Sequence, residues 1–561
     1  MTTTNARISS KFSIHNATSF RQSFRDQTMY LYVGAPDAWA DDDYPPAPED
    51  SINAKRDVWN SMVGLSRINY NDTRLGIDRN DWTSGVVYNK YDHTQTNETL
   101  ASGNGFFILA GTTDRDVYKC LDNNGDIPSS AKPTNKNLKV KKEVDGYIWK
   151  YMYTIPDADF TMFATSTIIP TKTESAVVSS AVDGAVLNIP LAANSSSGTG
   201  RYYRGSGYST GTIGAGITNG TIFTAVGSTA TNVLVLDATD TTTFGADDFY
   251  NNSAIYVSSS GQSFGTLRTI VDWVTSTNTV TLDSTVTNIN SGDSFIIGPK
   301  VTISDGGGSG FVGIGEVNGY GNLVNIIVSS SGAGYANSIM TATVNNVYSG
   351  VNGADADVSA YISTLGGHGR NADSELEAKY LIISGETTIA SSTDSETGVF
   401  VGLTNKYRQV GILRNPETQG VITTTPTYDL RTNLYFAHPT PSLGQLGRIE
   451  ENALLTNANT GGTAKVWSVN GDSGKQYVSV FNVRGNFSEG DVVYAGDQYV
   501  AISSADLSSH EYPSKSQQTP NEAVQRGMIT KYSGDIIYLE NISQISRTVG
   551  QRENFKFVFE F

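Results

Sequence analysis

The stretch that most restricts the fold is Arg526–Phe561, RGMITKYSGDIIYLENISQISRTVGQRENFKFVFEF. Phe555, Phe557, Phe559 and Phe561 fall two residues apart, so an extended backbone puts them on one face, with Lys556, Val558 and Glu560 on the other. Burying one phenylalanine contributes roughly 1.5–3 kcal/mol, so four on one face require a partner surface. A chain end frays unless it is tied down. The segment is therefore expected to be a strand in a sheet whose other strands come from elsewhere in the chain. Before it, Ser533-Gly-Asp535 supplies turn chemistry between the runs Met528–Tyr532 and Ile536–Glu540, the second of which suits a pleated surface.

The remaining sequence agrees with a mainly β fold: an antiparallel sheet or sandwich scaffold with few short helices and inserted small β domains. Only 17% of the residues are charged, and 56 glycines and 29 tyrosines stand among abundant Ser, Thr and Asn, a profile of strands joined by many turns. Residues 1–178 read as a β-rich scaffold. Strands are expected at Ile8–Ile14, Met29–Val33, Val86–Tyr88, Phe106–Leu109, Asp116–Leu121 and Tyr147–Ile155. A helix is expected over Asn16–Asp26, and a second after an N-cap at Asp50 or Ser51, with Ile52, Val58, Trp59 and Met62 close to one stripe.

Residues 179–365 change character. Between Arg204 and Arg370 the only Lys or Arg residues are Arg268 and Lys300, and short β-prone runs (Ala225-Val226, Asn232–Leu236, Thr279–Leu282, Val324–Val328) are separated by polar turns. Two Gly-x-Gly-Tyr turns recur, at Gly205–Tyr208 and Gly332–Tyr335. This region is read as an acidic β insertion. Residues 366–420 return to the scaffold, with a helix expected at Asp373–Tyr380 and a strand at Tyr407–Arg414. Residues 421–520 read as a second small β insertion, with strands at Lys465–Val469, Tyr477–Val483 and Asp491–Tyr494 and turns at Gly471–Gly474 and Ser488–Gly490. Residues 521–561 supply strands that complete the scaffold.

The chemistry-bearing patterns favour bland readings. Gly308-x-Gly310-x-x-Gly313 fits a dinucleotide fingerprint, but the next residues, Ile314-Gly-Glu-Val-Asn-Gly-Tyr-Gly321, cannot form the helix that motif requires. Asp122-Asn-Asn-Gly-Asp126 lacks the alternating ligands and distal glutamate of a calcium loop. Asp41-Asp42-Asp43 beside Pro45-Pro46 reads as a solvated loop. Abundant carboxylates in a polar β module are read as surface and not as a hydrolytic acid pair, and no nucleophile elbow or zinc-protease helix is present. Cys120 is the only cysteine; in an apolar strand it reads as buried filler, and no disulfide or cofactor is expected. The net charge of −16 argues against nucleic acid and anionic membrane as partners. Neither a secretory signal nor a membrane-spanning run is expected.

Four stretches carry a family resemblance: Ser10–Phe12 with Met29–Trp39 and Val58–Gly64; Val117–Asp122 with Asp145–Tyr151 and Ile155-Pro156; Tyr407–Val410 through Asn415-Pro416; and Ser533–Asn541 with the closing Phe-rich strand. In that order they resemble the dimeric, β-rich baseplate wedge subunit of T-even-type contractile-tailed bacteriophages, from which this sequence departs by its two long insertions. The resemblance implies a non-catalytic structural virion protein of the tail baseplate, made in the host cytoplasm. It also implies a homodimer that docks on other wedge subunits, with tail fibres or neighbouring baseplate proteins as further partners for the insertions. The alternative is a tail-associated adhesin whose polar β modules recognise surface glycans; a polysaccharide-degrading tail enzyme is a third reading. The residues expected to form core or interface are Trp39, Trp59, Trp149, Tyr151, Arg408, Tyr538, Phe559 and Phe561. Large aromatics and arginine are the side chains that anchor such surfaces.

Overall fold

A computed structural model describes residues 9–95, 103–191, 204–206, 213–214, 231–236, 247–248, 250–258, 266–287, 294–304, 306–317, 323–336, 340–345, 354–356, 358, 360–388, 407–436, 449–472, 475–496, 498–502, 523–543 and 552–561. The architecture is mainly β, built from antiparallel sheets with few helices. The chain forms two compact units. One comprises Met1–Ile14 and Gly76–Lys379, the other His15–Leu75 and Tyr380–Phe561.

The second unit interleaves early and late sequence. Its five-stranded sheet runs in the order Thr427–Asp429, Met62–Ile68, Met29–Gly34, Gln409–Arg414, Asp535–Asn541. Met29–Gly34 is buried throughout, because apolar and tyrosine side chains point to both faces. Tyr30 and Tyr32 pack with Val58, Trp59, Met62, Leu65 and Leu413. Their hydroxyls remain satisfied, Tyr30 donating to the Thr425 carbonyl at 2.6 Å and Tyr32 to the Tyr538 carbonyl at 3.3 Å. Gly411 sits opposite Tyr32 in register. A Cβ there would collide with the Tyr538 carbonyl and the Tyr32 hydroxyl, so only glycine lets these strands close. The helix Ile52–Ser61 starts where expected, its Ser51 hydroxyl accepting the Ala54 N–H at 3.1 Å, a cap worth about 1 kcal/mol.

Arg552–Glu560 pairs antiparallel with Tyr380–Thr388 along nine residues, from Tyr380↔Glu560 to Thr388↔Arg552, and lies at the edge of its sheet. The expected strand is therefore present, with a partner from elsewhere in the chain. Its phenylalanines form a stacked row, with centroids 6.4 Å apart for Phe555 and Phe557 and 6.5 Å for Phe557 and Phe559. Only Phe557 is fully buried; Phe555, Phe559 and Phe561 are half-buried. The same unit holds a seven-stranded sheet ordered Gln498–Ala501, Val492–Ala495, Leu454–Asn457, Thr463–Asp472, Lys475–Arg484, Thr432–Tyr435, Val524–Gln525, over a core that includes Leu434, Leu455, Val466, Val480 and Phe487.

The first unit contains a four-stranded sheet ordered Phe107–Leu109, Asp116–Asp122, Ile148–Thr154, Lys141–Lys142. Six further strands, Ile213–Gly214, Ser294–Gly298, Ala254–Ser258, Thr266–Val274, Thr279–Val286 and Thr231–Val235, form a sheet around buried Trp273. Leu323–Ala333, Ser309–Val317, Lys300–Ser304 and Thr341–Asn345 form another. Gly332 and Gly334 take φ of 59° and 73°, the left-handed region glycine reaches without strain, and they set Tyr335 into the core.

Several local expectations fail. Ser10–Asp26 is one helix, so the described part of Ile8–Ile14 is not a strand. The period of Ser13, Ala17, Phe20 and Phe24 is helical, and it outweighs the short alternation before it; Ser13, Ala17 and Phe24 are buried. Val86–Tyr88 is irregular, its backbone bonding to loops: Ser129 N–H donates to the Val86 carbonyl and Asn123 Nδ2 to the Tyr88 carbonyl. Asp373–Tyr380 holds only the helix Ala372–Glu375. Glu377, at φ 62°, stops it, and Tyr380 opens a strand. Gly310 and Gly313 lie inside the strand Ser309–Val317 and not in a turn, and that strand runs on where the dinucleotide motif would need a helix. Ala225-Val226, Gly207-Tyr208 and Ser473-Gly474 lie outside the described residues.

Candidate functional site

Around Trp39 the second unit presents a surface fixed by polar contacts. Arg408 grips Asp42 with both ends of its guanidinium, Nε to Oδ1 at 2.9 Å and Nη2 to Oδ2 at 3.0 Å. These hydrogen bonds hold the Asp42 carboxyl below its usual range. Asp42 is thus clamped, a departure from the solvated loop expected of Asp41–Asp43. The Trp39 backbone N–H donates to Asp42 Oδ1, and its indole Nε1 donates to the Ile542 carbonyl at 3.2 Å. A chain of amides lies beside it. Ser61 Oγ donates to Gln409 Oε1 at 3.0 Å, Gln409 Nε2 to Asn541 Oδ1 at 2.8 Å, and Asn541 Nδ2 to the Pro46 carbonyl at 2.8 Å. Trp39, Ser61, Gln409, Asn541 and Pro46 border an open cleft of about 490 Å³, lined also by Pro36, Glu49, Asp57, Asn482 and Arg484.

Trp59 is buried and meets Tyr532 edge-on at 6.3 Å. Tyr538 places its ring edge against Phe557 at 5.4 Å and Phe559 at 4.9 Å. Phe20, from the helix Ser10–Asp26, packs on Phe559 and Phe561, each at 5.9 Å. Trp39, Trp59, Arg408, Tyr538, Phe559 and Phe561 therefore all belong to the second unit: Trp39 and Arg408 in the clamp, Tyr538, Phe559 and Phe561 in the phenylalanine row, and Trp59 in the core against Tyr30 and Tyr32.

Trp149 and Tyr151 lie in the first unit, buried in its four-stranded sheet. Trp149 stacks on Tyr147 at 5.4 Å, and its Nε1 has no hydrogen-bond partner among the described residues. Tyr151 bonds to Thr154 Oγ1 at 2.6 Å. Cys120 is buried in the same sheet, and burial pushes its thiol well above the ordinary value, which keeps it unreactive.

Sequence reasoning missed the most charged feature of this unit. Lys119, with no exposed side-chain surface, reaches Glu375 Oε2 at 3.1 Å and His368 Nδ1 at 3.2 Å. Its ammonium sits 3.9 Å from the centre of the Tyr91 ring, and Gly369 N–H donates to Glu375 Oε1 at 2.6 Å. Burial pushes His368 down to about 4, with Lys119 acting in the same direction. Burial alone would raise Glu375, but Lys119 and His368 outweigh it and bring it down to about 2. The arrangement is an ion pair beside a neutral imidazole in a dry core. The available signal was a lysine in the middle of the apolar run Val117–Leu121; nothing in the spacing of His368 or Glu375 names its partners.

Residues 6–140 match the family model Phage-Gp8, described as Bacteriophage T4, Gp8. The match supports a phage baseplate structural protein located in the virion tail. It takes in Trp39, Trp59 and Lys119, while Trp149, Arg408 and the phenylalanine row lie beyond it. No curated protein matches the chain. Among the described residues no helix is long and apolar enough to cross a membrane.

Proposed function

We propose that this chain is a baseplate wedge subunit of a contractile phage tail, a homodimer that acts by docking on neighbouring wedge proteins and carries out no catalysis. The observation that carries the reading is the Gp8 match over residues 6–140. Two physical features support it. Buried aromatic side chains and polar clamps tie early and late sequence together in the second unit, as a structural subunit needs. The edge position of Arg552–Glu560 offers backbone groups to a further strand. In this reading residues 179–365 and 421–520 are inserted modules that face outward, toward fibres or other baseplate proteins. The role then rests on contact area, and an obligate interface typically buries on the order of 2,000 Å² or more.

The test is location and stoichiometry. Antibody raised against the chain is expected to label the baseplate of intact particles, and light scattering of the purified protein to return a dimer. Label on distal fibres together with a trimeric mass would overturn the wedge assignment in favour of an adhesin.

A further inference from the structure

The closing strand Arg552–Glu560 has one edge open. It pairs with Tyr380–Thr388 on one side, and among the described residues no strand lies on the other. Natural edges are blunted by proline, by a bulge or by shortness. This one runs for nine residues without a break in register and holds no proline. The side chains along it are also incompletely covered. Phe555, Phe559 and Phe561 are only half-buried, although Tyr407, Tyr538 and Phe20 pack on them. Val558, on the opposite face, is 38% exposed.

The order of residues along the edge says what covers it. Two identical strands that pair antiparallel about a two-fold axis bring side chains of the same face opposite each other, so the register decides which of them meet. Centred on Lys556, the pairing sets that lysine against its own copy. Centred on Phe557 or Phe559, it sets a charged side chain, Lys556 or Glu560, against Val558. Centred on Val558, it sets Lys556 against Glu560 on both sides of the axis and Val558 against itself. On the other face the same register brings Phe557 to Phe559 and Phe555 to Phe561. Opposite charges and aromatic rings directly across a ladder stabilise it, and like charges weaken it. One register thus satisfies both faces, and residues 555–561, with one lysine and one glutamate, are locally neutral.

We infer that residues 555–561 of two copies of this chain join in that register, so that the dimer shares one continuous sheet across its axis. The phenylalanine rows of the two copies then form a single layer. Because the contact is the same patch on both sides, it closes on itself and leaves no edge for further growth. The inference rests on the homodimer of the wedge reading for its partner and on the strand alone for its register.

Cysteine substitutions in the purified full chain test it; the native Cys120 is buried and does not compete. In Val558→Cys the two thiols face each other at the axis, with Cα atoms about 4.5–5.5 Å apart, within the span a disulfide bridges. Mild oxidation should convert most of the protein to a covalent dimer. Lys556→Cys checks the register: its two copies stand roughly 13 Å apart along the strands and should stay unlinked. A second measurement uses charge. Glu560→Lys and Lys556→Glu should each raise the Kd of the dimer roughly tenfold, and the two together should restore it, with the circular dichroism of the parent kept throughout. A dimer that links through Lys556→Cys, that does not link through Val558→Cys, or that is indifferent to the charge exchanges overturns this pairing while the dimeric wedge reading stands. A purified chain that stays monomeric or forms a trimer overturns the pairing and the dimer together.

Discussion

The Lys119 cluster of the first unit and the phenylalanine row of the second do the same job by opposite physics. Each ties together segments remote in sequence: Lys119 to His368 and Glu375, Phe20 to Phe559 and Phe561. The first does so with charges in a dry core, where the desolvation penalty is large and every partner is needed. The second uses half-buried rings at a sheet edge, each adding a modest increment. A charged knot is thus all-or-none and specific about which residues meet. An aromatic row is graded and tolerant, and what fixes its position is the backbone ladder of Tyr380–Thr388 beside it.

The contrast can be broken most severely from the graded side by removing the whole row at once. Deletion of residues 552–561 takes away one buried and three half-buried phenylalanines, together on the order of 4–8 kcal/mol at roughly 1.5–3 kcal/mol for a fully buried ring, and leaves Tyr380–Thr388 without this partner. That is a large part of the stability of a typical domain, about 5–15 kcal/mol. The second unit, including Met29–Gly34, is expected to lose its protection against hydrogen exchange; a truncated protein with that strand still protected would refute the account. Phe559→Ala alone should weaken the unit by much less.

On the charged side, Glu375→Ala leaves Lys119 buried without its anion and should destabilise the first unit by about 3–5 kcal/mol. Replacing both partners, as Lys119→Met with Glu375→Leu, should return most of that loss. Urea unfolding, followed through exchange of the Ile148–Thr154 amides, reads both. If the double variant proves as unstable as Glu375→Ala, the knot is held by packing and not by charge. The pH response sharpens the contrast further. His368, pushed down by burial to about 4, is neutral in the folded unit while an unfolded histidine protonates near 6.5. Its contribution is therefore complete above about pH 6.5 and declines as the pH falls toward about 4. Glu375, at about 2, adds a later loss as the pH falls below about 4.5. The first unit should lose about 2 kcal/mol between about pH 7 and pH 5 from His368 alone, and His368→Asn should flatten that slope.

Legibility in the sequence divides along the same line. Period-two alternation exposed the strand at Arg552, short β-prone runs exposed those at Met29, Gln409 and Asp535, and the Ser51 cap marked its helix, because these signals are local. The order in which strands meet was not legible, since Met29↔Arg414 and Leu413↔Ile536 are facts of tertiary packing. Ser10–Asp26 was misread where a few alternating residues preceded a helical stripe. At the candidate site, Trp39 and Arg408 were picked out as anchors, but Asp42 was hidden within a run of acids.

The position of Gln409–Arg414 between Met29–Gly34 and Asp535–Asn541 has a temporal consequence. On the ribosome, Met29–Gly34 emerges first and must wait while Gly76–Lys379 is synthesised before Gln409–Arg414 exists to cover its tyrosines. The nascent chain therefore carries an open, apolar sheet fragment through most of its translation. Only when residues 535–541 have left the exit tunnel can that sheet be completed, so a chain cut short before them keeps the fragment open.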